Sequence, residues 1–287
     1  MPELPEIEVT KRSLYKTINK AKIISVKVNN KNLRYQIPNA FSKNLTNENI
    51  LKISRRSKYL IFYFKTKLLL VHFGMTGKLL IMKRKTNKSF KTSFYYDSDT
   101  LKKHNHIYFY LNNGLILIYN DVRRFGFFKI YDTTKINEIS FLKKLGPEPL
   151  GKKFNATYFF KFIKNKKKNI KNILMDQTFV SGLGNIYVNE SLFLSKIKPT
   201  RIGSSISKNE IKILIISIIK ILKFSILKGG SSIRDFKNIS GKTGSFQQFF
   251  YVYGKNNKKC SRISCNGKIK KIVISNRSSY FCNKCQN

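Results

Sequence analysis

The chain has no tryptophan, four cysteines, six prolines and only 14 acidic residues among its 287. All four cysteines lie beyond residue 259, which argues against a secreted domain stapled by disulfides along its length. Apolar runs long enough to span a membrane are also missing. The most apolar stretch, residues 211–227, is broken by Lys220 and Lys223 and reads as a buried helix, so no membrane attachment is expected. The start, Met1-Pro2-Glu3-Leu4-Pro5-Glu6, is acidic and Pro-broken, unlike a signal peptide. A cytoplasmic, nucleoid-associated monomer is the expectation.

The shortage of acid leaves 57 Lys+Arg unbalanced, for a net charge of +43. Such a surface repels itself unless it meets a polyanion, and nucleic acid is the first partner to consider. Lysines outnumber arginines 46 to 11, and Ile, Asn, Phe and Tyr are abundant. These are the products of AT-rich codons, so part of the charge reflects base composition and not a binding surface.

The length suits two domains of about 100–150 residues each. Residues 6–19 place Ile7, Leu14 and Ile18 on one helical face, with Pro5 near the start. From Ala21 to Tyr131 the apolar runs have strand length, and Asn112-Asn113-Gly114 is a turn signal between two of them. Residues 83–103 read as an exposed loop. The expected fold class is α+β. An N-terminal helix lies on an antiparallel β-sandwich over residues 1–133, and a linker around Gly146-Pro147-Glu148-Pro149 covers 134–150. A helical domain spans 151–240, and 241–287 holds short strands around the cysteines.

Four constellations carry chemistry. Glu3, Glu6 and Glu8 crowd the first eight residues. An initiator Met before Pro is normally removed, which leaves Pro2 as a free secondary amine. Amino termini have a reference pKa of about 7.7–8.0, so part of that amine is neutral near pH 7 and can attack a sugar C1′. Adjacent carboxylates can move the protons. The same residues also suit a plain helix start with acids at its positive end. Gly182-Leu183-Gly184-Asn185 is either a phosphate-binding turn or an ordinary connection between helices. Cys260 and Cys265, then Cys282 and Cys285, form two close pairs across a hairpin-length spacer and fit one structural Zn2+. Met75 after His72-Phe73-Gly74, and Arg123-Arg124-Phe125 after Asp121, set wedge-shaped side chains beside cations. Taken singly, each reads as core or turn.

Together these motifs resemble the bacterial formamidopyrimidine-DNA glycosylase family, over nearly the whole chain. The resemblance rests on Met1–Glu8, Arg55-Arg56-Ser57-Lys58-Tyr59-Leu60, His72–Gly77, Arg123–Gly126 and Leu145–Leu150. It extends through Gly184–Tyr187, Glu190–Phe193, the Gly229–Phe236 segment and the cysteines. It implies an N-terminal β-sandwich, a helix-two-turn-helix domain and a β-hairpin zinc finger, with damaged double-stranded DNA bound between them. It further implies excision of oxidised purines (8-oxoguanine, formamidopyrimidines) through a Pro2 Schiff base, followed by β,δ-elimination. By the same resemblance Glu3 is the proton donor, Glu6 a supporting carboxylate, Lys58 the donor for β-elimination and Arg277 its counterpart for δ-elimination. Met75, Arg123 and Phe125, with Arg124 beside them, fill the gap left by the everted base. His72, His104, Arg123, Lys166, Asn185 and Arg277 contact phosphates, and 229–236 resembles a loop that closes over the lesion. Chemistry on C1′ needs the nucleotide out of the stack, and the basic surface supplies affinity independent of sequence.

Two departures stand out. Cys260 and Cys265 have four residues between them where the family usually has two, which makes Cys260 the weakest ligand assignment. Asp121-Val122 stands where the family usually has Asp-Pro. Two other readings are kept: an oxidised-pyrimidine glycosylase of the endonuclease VIII type, disfavoured by Leu4 and by the 229–236 segment, and an inactive DNA-binding homologue. The latter would need none of Pro2, Glu3 and Glu6.

Overall fold

The computed structural model describes residues 2–84, 102–231 and 246–287, and the backbone of 89–90. Most of the 83–103 stretch, and residues 232–236 of the Gly229–Phe236 segment, lie outside the described residues. The chain divides into two compact units, one of residues 1–143 with 226–247 and one of 144–225 with 248–287.

The first unit opens with α1 (Leu4–Ile18), β1 (Ile23–Val28) and α2 (Phe41–Leu45). Strands β2 (Lys52–Arg56), β3 (Tyr59–Tyr63), β4 (Lys67–His72), β5 (Lys78–Lys83) and β6 (Ser89–Phe90) follow. Then come β7 (Asn105–Leu111), β8 (Leu115–Asn120), β9 (Phe127–Asp132) and the short helix α3 (Ser140–Lys143). The strands form two sheets, ordered β1-β7-β8-β5-β6 and β2-β3-β4-β9, with antiparallel pairing throughout. As expected, this is an antiparallel sandwich with a helix against it.

Period-two alternation sorts the side chains. Leu60 and Phe62 of β3, and Leu69 and Val71 of β4, join a core with Ile7 and Leu14 of α1, Leu79, Ile107, Phe109, Leu117 and Phe128. The intervening Ile61, Leu68 and Leu70 point the other way and pack with Phe127, Ile139, Phe141 and Leu142. The second sheet is therefore apolar on both faces. This explains why β3 and β4 read as continuous apolar runs and not as alternating ones. The sequence 112–114 closes the β7–β8 hairpin, with Gly114 at φ +74°.

The second unit contains α4 (Ala156–Ile163), α5 (Ile170–Met175), α6 (Asn185–Leu194) and α7 (Lys208–Leu227), whose last residues belong to the first unit. The hairpin of β10 (Ile269–Ile274) and β11 (Arg277–Cys282) ends the chain. Asn155 and Asn169 cap α4 and α5 by accepting backbone N–H bonds. Side chains on α6 are buried nearly all round, with Ile186, Tyr187, Val188, Leu192 and Phe193 inside. No helix among the described residues is long and apolar enough to cross a membrane.

Candidate active site and nucleic-acid interface

In the first unit, Pro2 and the two acids behind it are buried at the start of α1. Glu3 is the N-cap, and Glu6 returns its carboxylate to the Glu3 backbone N–H at 2.9 Å, completing a reciprocal capping box. The helix thus fixes both carboxylates one turn apart at its positive end, where negative charge is favoured. The second Glu6 oxygen accepts the Ser231 backbone N–H at 2.9 Å and the Ser231 hydroxyl at 3.1 Å. Glu6 therefore ties the start of the chain to the last described residue before the 232–245 segment.

Lys58 is buried in the two-residue turn of the β2–β3 hairpin, after Ser57 at φ +56°. Arg55 holds that turn to α1: its Nε reaches Glu8 at 3.0 Å and its guanidinium donates to the Ser57 carbonyl at 2.9 Å. Burial pushes the Glu8 carboxyl up. Lys11, Arg12 and Arg55 outweigh that and leave it below the usual carboxylate range. Glu8, the third acid of the N-terminal cluster, thus acts as an anchor.

His72 is held down at about 4, first by burial and then by the nearby cations Lys58 and Arg34, so its imidazole is neutral at pH 7. Its Nδ1 accepts the Gly74 N–H at 3.1 Å, which leaves Nε2 as a donor. The ring stacks on Phe127 at 5.5 Å. His104 is partly exposed and its carbonyl accepts the Asp121 N–H.

Met75 and Phe125 project outward, 40% and 44% exposed. Both sit on turns fastened to one buried carboxylate. Asp121 accepts the Thr76 hydroxyl at 2.5 Å and the Arg123 N–H at 3.3 Å on one oxygen, and the Tyr119 hydroxyl and Gly126 N–H, both at 2.9 Å, on the other. Glycine is required where the turns meet. A Cβ on Gly74 would lie 2.3 Å from the Phe125 carbonyl carbon, and one on Gly126 would lie 1.8 Å from the Tyr119 oxygen. Arg123 lays its guanidinium 4.5 Å from the Phe125 ring centre. Arg124 takes φ +56° beside them. Asn32, Leu33, Arg34, Arg123, Arg124 and Phe125 line a basic depression.

In the second unit, Asn185 begins α6 after the Gly182–Gly184 turn. That turn is closed by Gln177, which accepts the Gly182 N–H and donates to the Leu183 carbonyl. The Asn185 amide donates to the Ser278 carbonyl at 3.0 Å, next to Arg277 at the start of β11. Lys171, 1% exposed, donates to the same carbonyl at 3.1 Å and to the Ser279 hydroxyl. Burial, then the charge of Arg277, holds its ammonium down at about 8. Arg277 and Lys166 are exposed, Lys166 lying over the Phe162 ring.

The four cysteine sulfurs lie within 4.8 Å of one another. Cys260 and Cys285 are 3.8 Å apart, and Cys265 and Cys282 are 3.6 Å apart. A tetrahedron of bonds about 2.3 Å long places neighbouring sulfurs about 3.8 Å apart, so the cluster fits one Zn2+. Burial pushes the Cys282 thiol up, but N–H donors from Cys285 and Lys284 outweigh it and hold the thiol at about 7. Cys285 is driven up by burial and by the sulfurs of Cys282 and Cys260. A dication relieves that crowding of sulfur charge.

Comparison with known proteins matches three family models in order along the chain. They are the formamidopyrimidine-DNA glycosylase N-terminal domain over residues 1–128, the H2TH domain of the same enzymes over 145–237, and the zinc finger found in FPG and IleRS over 257–287. Formamidopyrimidine-DNA glycosylases from Bartonella tribocorum and Wolbachia pipientis are each 40% identical, with 100% of both chains covered. The chain belongs to the formamidopyrimidine-DNA glycosylase family. Among solved structures, a mutant of the Lactococcus lactis FPG bound to Fapy-dG-containing DNA matches at 37% identity and TM-score 0.87, over 100% of each chain. The Lactococcus lactis protein bound to abasic-site DNA matches at TM-score 0.87 over 99% of each.

Within that family frame, the sequence motifs leave three residues unassigned, buried Asp121 and Lys171 and half-buried Arg262. Asp121 appears in the sequence only as the residue before a departure. Its convergence on four donors depends on two turns far apart in the chain. Lys171 sits between Ile170 and Ile173 on the buried face of a helix, and a lysine among apolar positions is the one signal that marks it. Arg262 hides in the widened cysteine spacing.

Proposed function

We propose that Pro2 is the nucleophile and Glu3 the principal proton carrier of this chain. As a member of its family the chain is a base-excision DNA glycosylase with AP lyase activity, acting on oxidised purines in duplex DNA. The observation that carries the residue assignment is the buried N-terminus of α1, where the capping box holds Glu3 and Glu6 beside Pro2.

The Pro2 nitrogen attacks C1′ of the everted nucleotide, the C1′–base bond breaks, and its electron pair leaves on the base, which takes a proton from Glu3. The Pro2 nitrogen gives up its proton, the sugar ring opens at its oxygen, which takes up that proton, and an iminium joins C1′ to Pro2. Loss of a C2′ proton then expels the 3′ phosphate, and a second elimination expels the 5′ phosphate. Lys58 serves the first elimination and Arg277 the second. Met75, Arg123 and Phe125 fill the vacated stack, which offsets the cost of eversion. His72 acts as a neutral Nε2–H donor to phosphate. His104, Arg124, Lys166 and Asn185 complete the backbone contacts.

Cys260, Cys265, Cys282 and Cys285 would hold one zinc, whose chemistry there is structural: it fixes the hairpin that carries Arg277. With DNA as its substrate, the protein works at the nucleoid. The solved complexes of the Lactococcus lactis relative include one with DNA containing an oxidised pyrimidine, so lesion range is best measured with both base classes.

The test is borohydride trapping on duplex DNA with 8-oxoguanine opposite cytosine. A covalent adduct mapped to Pro2 is expected. An adduct on Lys58, or full activity in Pro2→Gly with Met1 retained, would overturn the assignment.

A further inference from the structure

The residues that widen the first cysteine pair are Ser261-Arg262-Ile263-Ser264. Only part of the segment points outward. Ile263 is fully exposed, at 106%. Arg262 turns inward, and its guanidinium donates to the carbonyls of Phe193 at 2.8 Å and Leu194 at 3.1 Å. These are the last carbonyls of α6, of which Phe193 also accepts the Lys196 N–H at 3.0 Å, and a cation there complements the negative end of the helix. The guanidinium lies 4.8 Å from the Phe193 ring centre. Meanwhile the Arg262 carbonyl accepts the Cys265 N–H at 3.1 Å. One residue thus holds a cysteine through its backbone and a helix end through its side chain.

The same helix meets the finger along its length. Asn185 donates to Ser278, Asn189 accepts the Tyr280 N–H at 2.6 Å, and buried Glu190 accepts the N–H groups of Tyr251, Val252 and Tyr253. Arg262 closes the far end of this contact.

We infer that Arg262 is a positioning residue that couples the zinc site to α6 and, through α6 and the hairpin, fixes Asn185 and Arg277 for catalysis on DNA. The two added residues let a guanidinium reach the helix end, which compensates for the loosened spacing of the ligands. The catalytic part rests on the roles proposed above for Asn185 and Arg277; the coupling of metal to helix does not.

The test uses the full-length, zinc-loaded protein with Arg262→Ala and Arg262→Lys. Partners that hold metal ligands typically contribute 10–100-fold in affinity, so Arg262→Ala should release zinc to a chromogenic chelator about tenfold faster. Arg262→Lys keeps the charge at the helix end but not the fork, and should fall between it and the parent. Amide exchange in the last turn of α6 should rise in the same order. The share of product carrying the second elimination should fall while borohydride trapping at Pro2 is retained. Zinc release and α6 exchange at parental rates in both variants would overturn the coupling. If Arg262→Ala does not fold, Arg262→Lys alone decides: faster release and exchange support the coupling, and parental rates refute it. An Arg277→Ala control that keeps the second elimination would remove the catalytic clause and leave the metal and exchange results standing.

Discussion

Replacing Asp121 by Asn tests whether one buried carboxylate holds the wedge. The substitution keeps the shape and removes the charge. Each oxygen of Asp121 receives two donors, so the new NH2 group faces two of them whichever way the amide is turned. The Thr76 or Tyr119 hydroxyl can rotate to accept, but the backbone N–H of Arg123 or Gly126 cannot. With the NH2 turned toward Thr76 and Arg123, the Arg123 N–H keeps the Thr76 hydroxyl oxygen at 3.1 Å but loses Asp121, and the three remaining charge-assisted bonds become neutral ones, at about 1 kcal/mol each. The expected cost is about 2–4 kcal/mol, concentrated in the turns that carry Met75, Arg123 and Phe125. Tyr119→Phe removes one donor and leaves Asp121 with three, at about 1 kcal/mol. The assay compares affinity for a duplex carrying a stable abasic-site analogue with affinity for the undamaged duplex, alongside thermal unfolding. Asp121→Asn should lose more than tenfold of the lesion-specific affinity, keep non-specific affinity within about twofold, and unfold earlier than Tyr119→Phe. Equal losses on both duplexes, or a milder effect than Tyr119→Phe, would refute the reasoning.

Four further outcomes can be measured. His72 has a folded pKa near 4, below its unfolded value of about 6.5, so the unfolded chain binds more protons between them. Acidification through that window should cost stability, by up to about 3 kcal/mol below pH 4 on this group's account, and His72→Gln should flatten that part of the profile. Lys171 has a folded pKa of about 8 against an ordinary 10.5, so stability should rise between pH 8 and 10.5 relative to Lys171→Met; parallel curves would show that the ammonium is not buried in solution. Cys282→Ser should weaken zinc more than Cys260→Ser, because Cys282 is fully buried and its backbone N–H is held by the Gln286 side chain at 2.8 Å; metal content by mass spectrometry after mild chelation checks the order. If about six to eight phosphates are neutralised, log K for DNA against log salt should have a slope of about −5 to −7, and a slope near zero would mean the lysines are mainly compositional.

Much of this molecule was legible before any coordinates. The apolar runs of β3, β4 and β8 and the turn at Gly114 announce a sheet protein, and the cysteine spacing announces a metal. Both signals are local, set by periods of two and by reach along a hairpin. The acids at Glu3 and Glu6 could be read either as a helix start or as catalytic groups. In the structure they make the capping box, and in the proposal above they also do the chemistry, so the same bonds serve both readings. What stayed hidden depends on distant pairing. Glu8 gains its partner Arg55 across 47 residues, and Asp121 binds Thr76 across 45. Lys171 reaches Ser279 across 108. Arg262 was in plain view, but a spacing says only how far a loop can reach and not which side chain turns in.

The pairing of Arg123 with Phe125 bears on how the protein searches. Undamaged base pairs vastly outnumber lesions, so most encounters with DNA are fruitless and must be brief. A long side chain that had to be ordered at every encounter would lose up to about 2 kcal/mol of rotamer freedom each time. Here the guanidinium already rests on the ring it accompanies, and Asp121 already holds the turn beneath them. If Arg123 and Phe125 fill the vacated stack as proposed above, the probe arrives assembled, and its ordering is done once, when the chain folds, and not at each base pair it inspects.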